Sequence, residues 1–115
     1  MMVRLYTGGD GESHFEEIIP PFAWAGPVER TPLQGATGVA FTRFPSGCFL
    51  DWHNAPRRQH VIILSGHSEF GVGDGSVRRL GPGDVLLAED LTGRGHTTRV
   101  VGDQPCVSVA VPLAG

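Results

Sequence analysis

The chain has 115 residues, of which 40% are hydrophobic and 18% charged, which suits one globular domain and excludes a chain disordered throughout. The net charge is −3, and all nine basic residues are Arg with no long run among them, so the clustered basic face that nucleic acid needs is excluded. No apolar stretch reaches the ~18 residues of a membrane span, and 17 glycines and 9 prolines scattered between short apolar runs exclude a helical bundle in favour of a turn-dense all-β chain.

The first expected strand is Met2–Tyr6. Ser13-His14-Phe15-Glu16 has the spacing of a capping box, so Ser13–Ile19 reads equally as a two-turn helix stopped by Pro20 or as a strand. Pro20–Gly35 holds four prolines and two glycines without periodicity, and is expected to be an irregular crossing loop that docks Phe22 and Trp24 on something apolar. Further strands are expected at Val39–Phe44, Gly47–His53, Gln59–Leu64, Ser68–Val72, Ser76–Leu80, Val85–Glu89, His96–Val101 and Cys106–Val111.

Between two of these, Asp74-Gly75 predicts a tight type I′ hairpin turn. Gly81-Pro82-Gly83-Asp84 is a second turn. The last strand alternates cleanly, with Val107, Val109 and Val111 on one face and Cys106, Ser108 and Ala110 on the other. Val61–Leu64 is apolar on both faces, which predicts a barrel interior on one side and a second subunit on the other. Cys48 and Cys106 stand far apart and read as two small buried thiols. With no basic-then-apolar leader at the N-terminus, the expected compartment is the cytoplasm.

Histidines fall where strands meet turns. His53 closes one strand, Gln59 opens the next, and His96 opens a later one after Gly93-Arg94-Gly95. In a small antiparallel barrel such positions line the mouth of the cavity. Here the chain resembles the small single-domain cupins. Their first motif reads G-x5-H-x-H-x3-E-x6-G, and Gly47, His53, Ala55, Gln59 and Gly66 fall on its five positions without a gap. Their second reads G-x5-P-x-G-x2-H-x3-N. Gly83 fits its start and Gly93-Arg94-Gly95-His96 its G-x2-H.

The resemblance implies a cupin-type double-stranded β-helix, a jelly-roll barrel. Residues 38–111 would form the barrel core, and residues 1–37 an N-terminal strand and loop segment. It also implies a divalent transition metal (Zn, Fe, Ni, Mn or Cu), since the family's two histidines, glutamate and last histidine bind one. In this chain that set would be His53, Gln59 and His96.

The departures weaken that site. Ala55 replaces the second His, Gln59 replaces the Glu, Glu89 stands at the Pro and Val100 at the Asn, with two residues added before Gly93. Two imidazoles and a neutral amide lack an anionic ligand. Asp51, two residues before His53, has the parity to share its face, and Glu89 and Asp90 lie in the loop leading to His96. Each of these carboxylates is a candidate ligand, tautomer-fixing partner or general base, and Asp51 and Glu89 are the candidates to move protons.

Arg57 is either a solvated loop charge or a guanidinium clamp on a substrate carboxylate. His60 should point out of the barrel, and His67 should be exposed. Two functional readings stand side by side: a metal-dependent enzyme of dioxygenase, isomerase or lyase type acting on a small oxygenated molecule, and a metal-free small-ligand-binding barrel without catalysis. Both take a small-molecule partner, neither nucleic acid nor membrane, and a homodimer is expected.

Overall fold

The computed structural model describes all 115 residues and contains twelve strands and no helix. They are β1 (Met2–Thr7), β2 (Ser13–Ile18), β3 (Ala23–Ala25), β4 (Val28–Arg30), β5 (Ala40–Phe44) and β6 (Phe49–His53), followed by β7 (Gln59–Ser65), β8 (His67–Gly71), β9 (Val77–Leu80), β10 (Val85–Glu89), β11 (His96–Val101) and β12 (Cys106–Pro112). A six-stranded sheet in the order β2-β1-β10-β7-β12-β5 faces a four-stranded sheet in the order β6-β11-β8-β9. Only β1 and β10 run parallel; the other pairs are antiparallel. This is the expected all-β double-stranded β-helix. No helix is long and apolar enough to cross a membrane.

Period-2 alternation decides what each strand buries. On β1, Val3 and Leu5 are fully buried while Arg4 and Tyr6 face outward. The core joins them to Ile63, Phe70, Leu80, Leu86 and Val100 from both sheets. On β12 the face with small residues points inward, with Cys106 and Ser108 buried and Ala110 on the wall of a cavity. Larger inward residues there would have closed the space. Small ones leave it open.

The structure decides one open alternative and departs from expectation elsewhere. Ser13–Ile18 is a strand, paired with β1 from Thr7↔Ser13 to Met2↔Ile18, because β1 offers a free edge and Pro20 leaves too few residues for a stable helix. Pro20–Gly35 is not irregular throughout: Ala23–Ala25 and Val28–Arg30 form a hairpin around Gly26-Pro27. Trp24 on this hairpin is 73% exposed and lines no groove, whereas Phe22, just before it and 56% exposed, borders an outer groove with Ile18, Pro20 and Ile62.

Asp74-Gly75 does not form a type I′ turn, which requires φ > 0 at both central residues. Gly75 has φ +88°, whereas no residue other than glycine has positive φ. The Val72 and Ser76 backbones close a three-residue loop instead, with the Gly75 N–H donating to the Val72 carbonyl. The outer face of β7 borders a groove. Ile62 and His60 line an outer groove together with Ile18, Pro20, Phe22 and Gln34.

Candidate functional site

The barrel encloses a cavity of about 190 Å³ between the two sheets. His53, at the end of β6, and His96, at the start of β11, are direct partners across that antiparallel pair. Cross-strand partners project from the same face a few ångströms apart, and here the two ring centroids lie 4.3 Å from each other. Both line the cavity, as does Gln59 from the start of β7. The approach depends on Gly95. Its φ is +82°, and a Cβ there would sit 2.1 Å from the His53 carbonyl oxygen.

The ring nitrogens are not equivalent. His53 Nδ1 lies 2.7 Å from the backbone carbonyl of Asp51. A carbonyl can only accept, so Nδ1 carries the proton and donates. His96 Nδ1 lies 2.6 Å from Asp90 Oδ2, which also accepts from Ser13 Oγ at 2.8 Å. Asp90 is fully buried and His96 is 5% exposed. The other carboxylate oxygen, Oδ1, is buried without a partner. Asp90 is therefore the residue that orients His96, a role for which the sequence offered it only alongside Glu89. Ser13 had no signal at all, being 77 residues away along the chain.

The remaining candidates stand outside the cavity. Asp51 is exposed, and its carboxylate accepts from the Trp52 N–H at 2.9 Å; only its backbone carbonyl meets His53. Glu89 faces away from the interior, because its neighbour Ala88 faces in. Its carboxylate lies 2.6 Å from Arg4 Nε and also accepts from Arg58 Nε. Burial pushes the Glu89 carboxyl up, but hydrogen bonds and charges from Arg58 and Arg4 outweigh it and hold it below the ordinary value of 4.5. A carboxylate so paired is a poor proton acceptor. Arg57 is exposed and does not line the cavity.

His60 does point outward, and its Nε2 lies 2.8 Å from Gln34 Oε1. Burial first, then the charge of Arg58, lowers its pKa from 6.5, with Glu89 opposing. His67 is exposed, as expected.

The donor set falls short of what the divalent metal implied by the resemblance requires. A catalytic metal centre of the zinc type takes three protein ligands, usually with charge supplied by a carboxylate or thiolate or by several imidazoles. Here two imidazoles and one neutral amide line the cavity, and nowhere in the chain do three His, Cys, Asp or Glu side chains converge. Ala55, buried in the cavity wall, occupies the place of the missing imidazole. These residues do not fit a tightly held metal.

No protein-family model and no curated protein matches the sequence. Solved structures do resemble the fold. A conserved Klebsiella pneumoniae protein with a double-stranded β-helix domain is 26% identical, with 70% of each chain covered and a TM-score of 0.52. A cupin domain from Bordetella pertussis is 20% identical over 84% of this chain and 93% of its own, with a TM-score of 0.53. A conserved Streptococcus pyogenes protein of unknown function is 21% identical over 74% of this chain and 71% of its own, at 0.50. With the sheet order, these likenesses show that the chain has the cupin-type fold, a double-stranded β-helix.

Proposed function

We propose that the barrel cavity binds a small oxygenated molecule directly through His53 and His96, without a resident metal. The observation that carries this reading is the pair of rings 4.3 Å apart in one cavity, each with Nδ1 engaged by the protein. Fixing Nδ1 leaves Nε2 of each ring as the nitrogen available to a ligand. Hydrogen bonding and proton transfer at Nε2 are the chemistry such a pair supplies. The volume of about 190 Å³ limits the ligand to a small molecule, and the apolar part of the wall, including Phe44, Leu50 and Phe70, favours one with a hydrocarbon side.

A small-molecule panel read by imidazole ¹⁵N spectra tests this, using chelator-treated protein and the variants His53→Ala and His96→Ala. The expected result is ligand-dependent shifts of both rings in metal-free protein, lost in either variant. A carboxylate behind an imidazole is also the arrangement found around metal-bound histidines, so the experiment includes a divalent-metal arm. Stoichiometric metal binding by the wild type, with no ligand response in its absence, would overturn the metal-free reading.

A further inference from the structure

The hydrogen bonds behind the two imidazoles limit what the cavity accepts. We infer that its ligand presents two adjacent hydroxyl donors, so that the site selects a small neutral vicinal diol over a carboxylate or a ketone of similar size. This deepens the reading of the cavity as a metal-free ligand site and rests on it.

Nδ1 fixes the polarity of each ring. In His53 it must donate, because its partner is the carbonyl of Asp51. In His96 it faces Asp90 Oδ2, an oxygen that already accepts from Ser13 Oγ, so here too the nitrogen donates. In the neutral rings both Nε2 atoms are consequently bare lone pairs, and no protein group bonds to either. Two acceptors side by side in one cavity repel each other until donors are placed against them. A ketone brings no O–H or N–H and adds a third acceptor. A diol supplies one O–H to each ring.

Charge points the same way. No Arg side chain lines the cavity, so an anion would find no permanent counter-charge. The carboxylate of Asp90, 2.6 Å behind His96, would repel it. The polar groups that remain on the wall, among them Gln59, Thr42 and Thr98, are neutral and can accept or donate as a hydroxylated ligand requires. A cation would also satisfy two lone pairs, but the further donors on the wall are a neutral amide and neutral hydroxyls, and no anion completes its shell.

Four probes separate these possibilities: cis-1,2-cyclohexanediol, cyclohexanecarboxylate, cyclohexanone and zinc chloride. Each is titrated into chelator-treated wild-type protein at neutral pH, following the Nε2 and Nδ1 resonances of His53 and His96. The diol should bind at least tenfold more tightly than the carboxylate or the ketone. It should move both Nε2 resonances in the direction of hydrogen-bond acceptance while both Nδ1 protons persist. If the carboxylate or ketone binds as well as the diol and shifts the same rings, the ligand class is wrong while the cavity remains a ligand site. If none of the three organic probes moves either ring, the cavity reading falls and this inference with it. Zinc binding one-to-one and displacing the diol would show that the lone pairs serve a cation, which also overturns it.

Discussion

Asp90 and His96 meet at 2.6 Å behind the cavity wall, the carboxylate fully buried and the imidazole nearly so. The contact sets which nitrogen of His96 is turned to the cavity as a lone pair. Asp90 is thus a positioning residue that touches no ligand. In Asp90→Asn, the amide N–H can donate to Nδ1, which moves the proton to Nε2. The acceptor facing the cavity then becomes a donor. A new Nε2–H signal for His96 is expected, together with loss of the preference for diols over ketones. Stability should fall by about 1.5–3 kcal/mol, the range for hydrogen bonds to a charged group. A purely structural role would lower the unfolding temperature but leave the tautomer unchanged.

Gly95 sets how closely β11 approaches β6. Gly95→Ala would place a methyl 2.1 Å from the His53 carbonyl oxygen in a left-handed conformation, at φ +82°. Backbone strain and overpacking together should cost about 3 kcal/mol. Gly47 is a useful control. It has a similar φ of +77°, but a Cβ there meets nothing within 4 Å. Gly47→Ala should cost only about 1 kcal/mol from the conformation itself. Chemical denaturation of both variants checks the difference, and only Gly95→Ala should shift the two histidine rings. Equal costs would mean that the close approach is not what holds the pair in place.

The barrel and the two histidines were legible in the sequence because both rest on local patterns. Strand alternation gave most strand positions, and the spacing from Gly47 to Gly66 carried His53 and Gln59 to the cavity wall. What was not legible depends on contacts between distant segments. Ser13 reaches Asp90 only because β1 runs beside both β2 and β10, a pairing that no local pattern announces. Asp51 misled for a different reason. Parity puts it on the His53 face, but β6 is a sheet edge, and its carboxylate turns back to the Trp52 N–H. Parity on β10 could not by itself say whether Ala88 or Glu89 faced inward. The register with β1 does, and it brings Glu89 to the side of Arg4. The β3–β4 hairpin is not legible because three-residue strands show no period.

Glu89 joins three strands' neighbourhoods by pairing with Arg4 of β1 and with Arg58 just before β7. Its carboxyl is held below 4.5 when folded, whereas unfolding releases it to its ordinary value. The unfolded state therefore binds the extra proton more readily. The contribution is fully present above about pH 4.5 and is lost as pH falls through the folded value. Both Arg partners are more than one-third exposed, which limits the size to about 1 kcal/mol. Glu89→Gln should lower stability at pH 7 by that amount. The gap to wild type should close as pH drops below 4.5, measured by denaturant unfolding across pH. A gap that stays constant with pH would show that the carboxylate contributes packing and not charge.

Ala55 and Gln59 are the two places where this chain lacks the imidazole and carboxylate of the complete cupin motif, and both face the cavity beside His53 and His96. The double variant Ala55→His with Gln59→Glu would bring three imidazoles and one carboxylate to that wall, a donor set suited to a divalent metal. The cavity of about 190 Å³ leaves room for the added ring. Metal that binds only the folded state stabilises it by about 2.7 kcal/mol at one hundred times Kd, which for a domain of this size raises Tm by roughly 10 °C. Nickel or zinc should produce that rise in the double variant and almost none in the wild type, and His53→Ala in the variant background should abolish it. An equal rise in the wild type would mean that two imidazoles and an amide already suffice. No rise in a folded double variant would mean that residues 55 and 59 do not aim at the point where the two histidine rings meet.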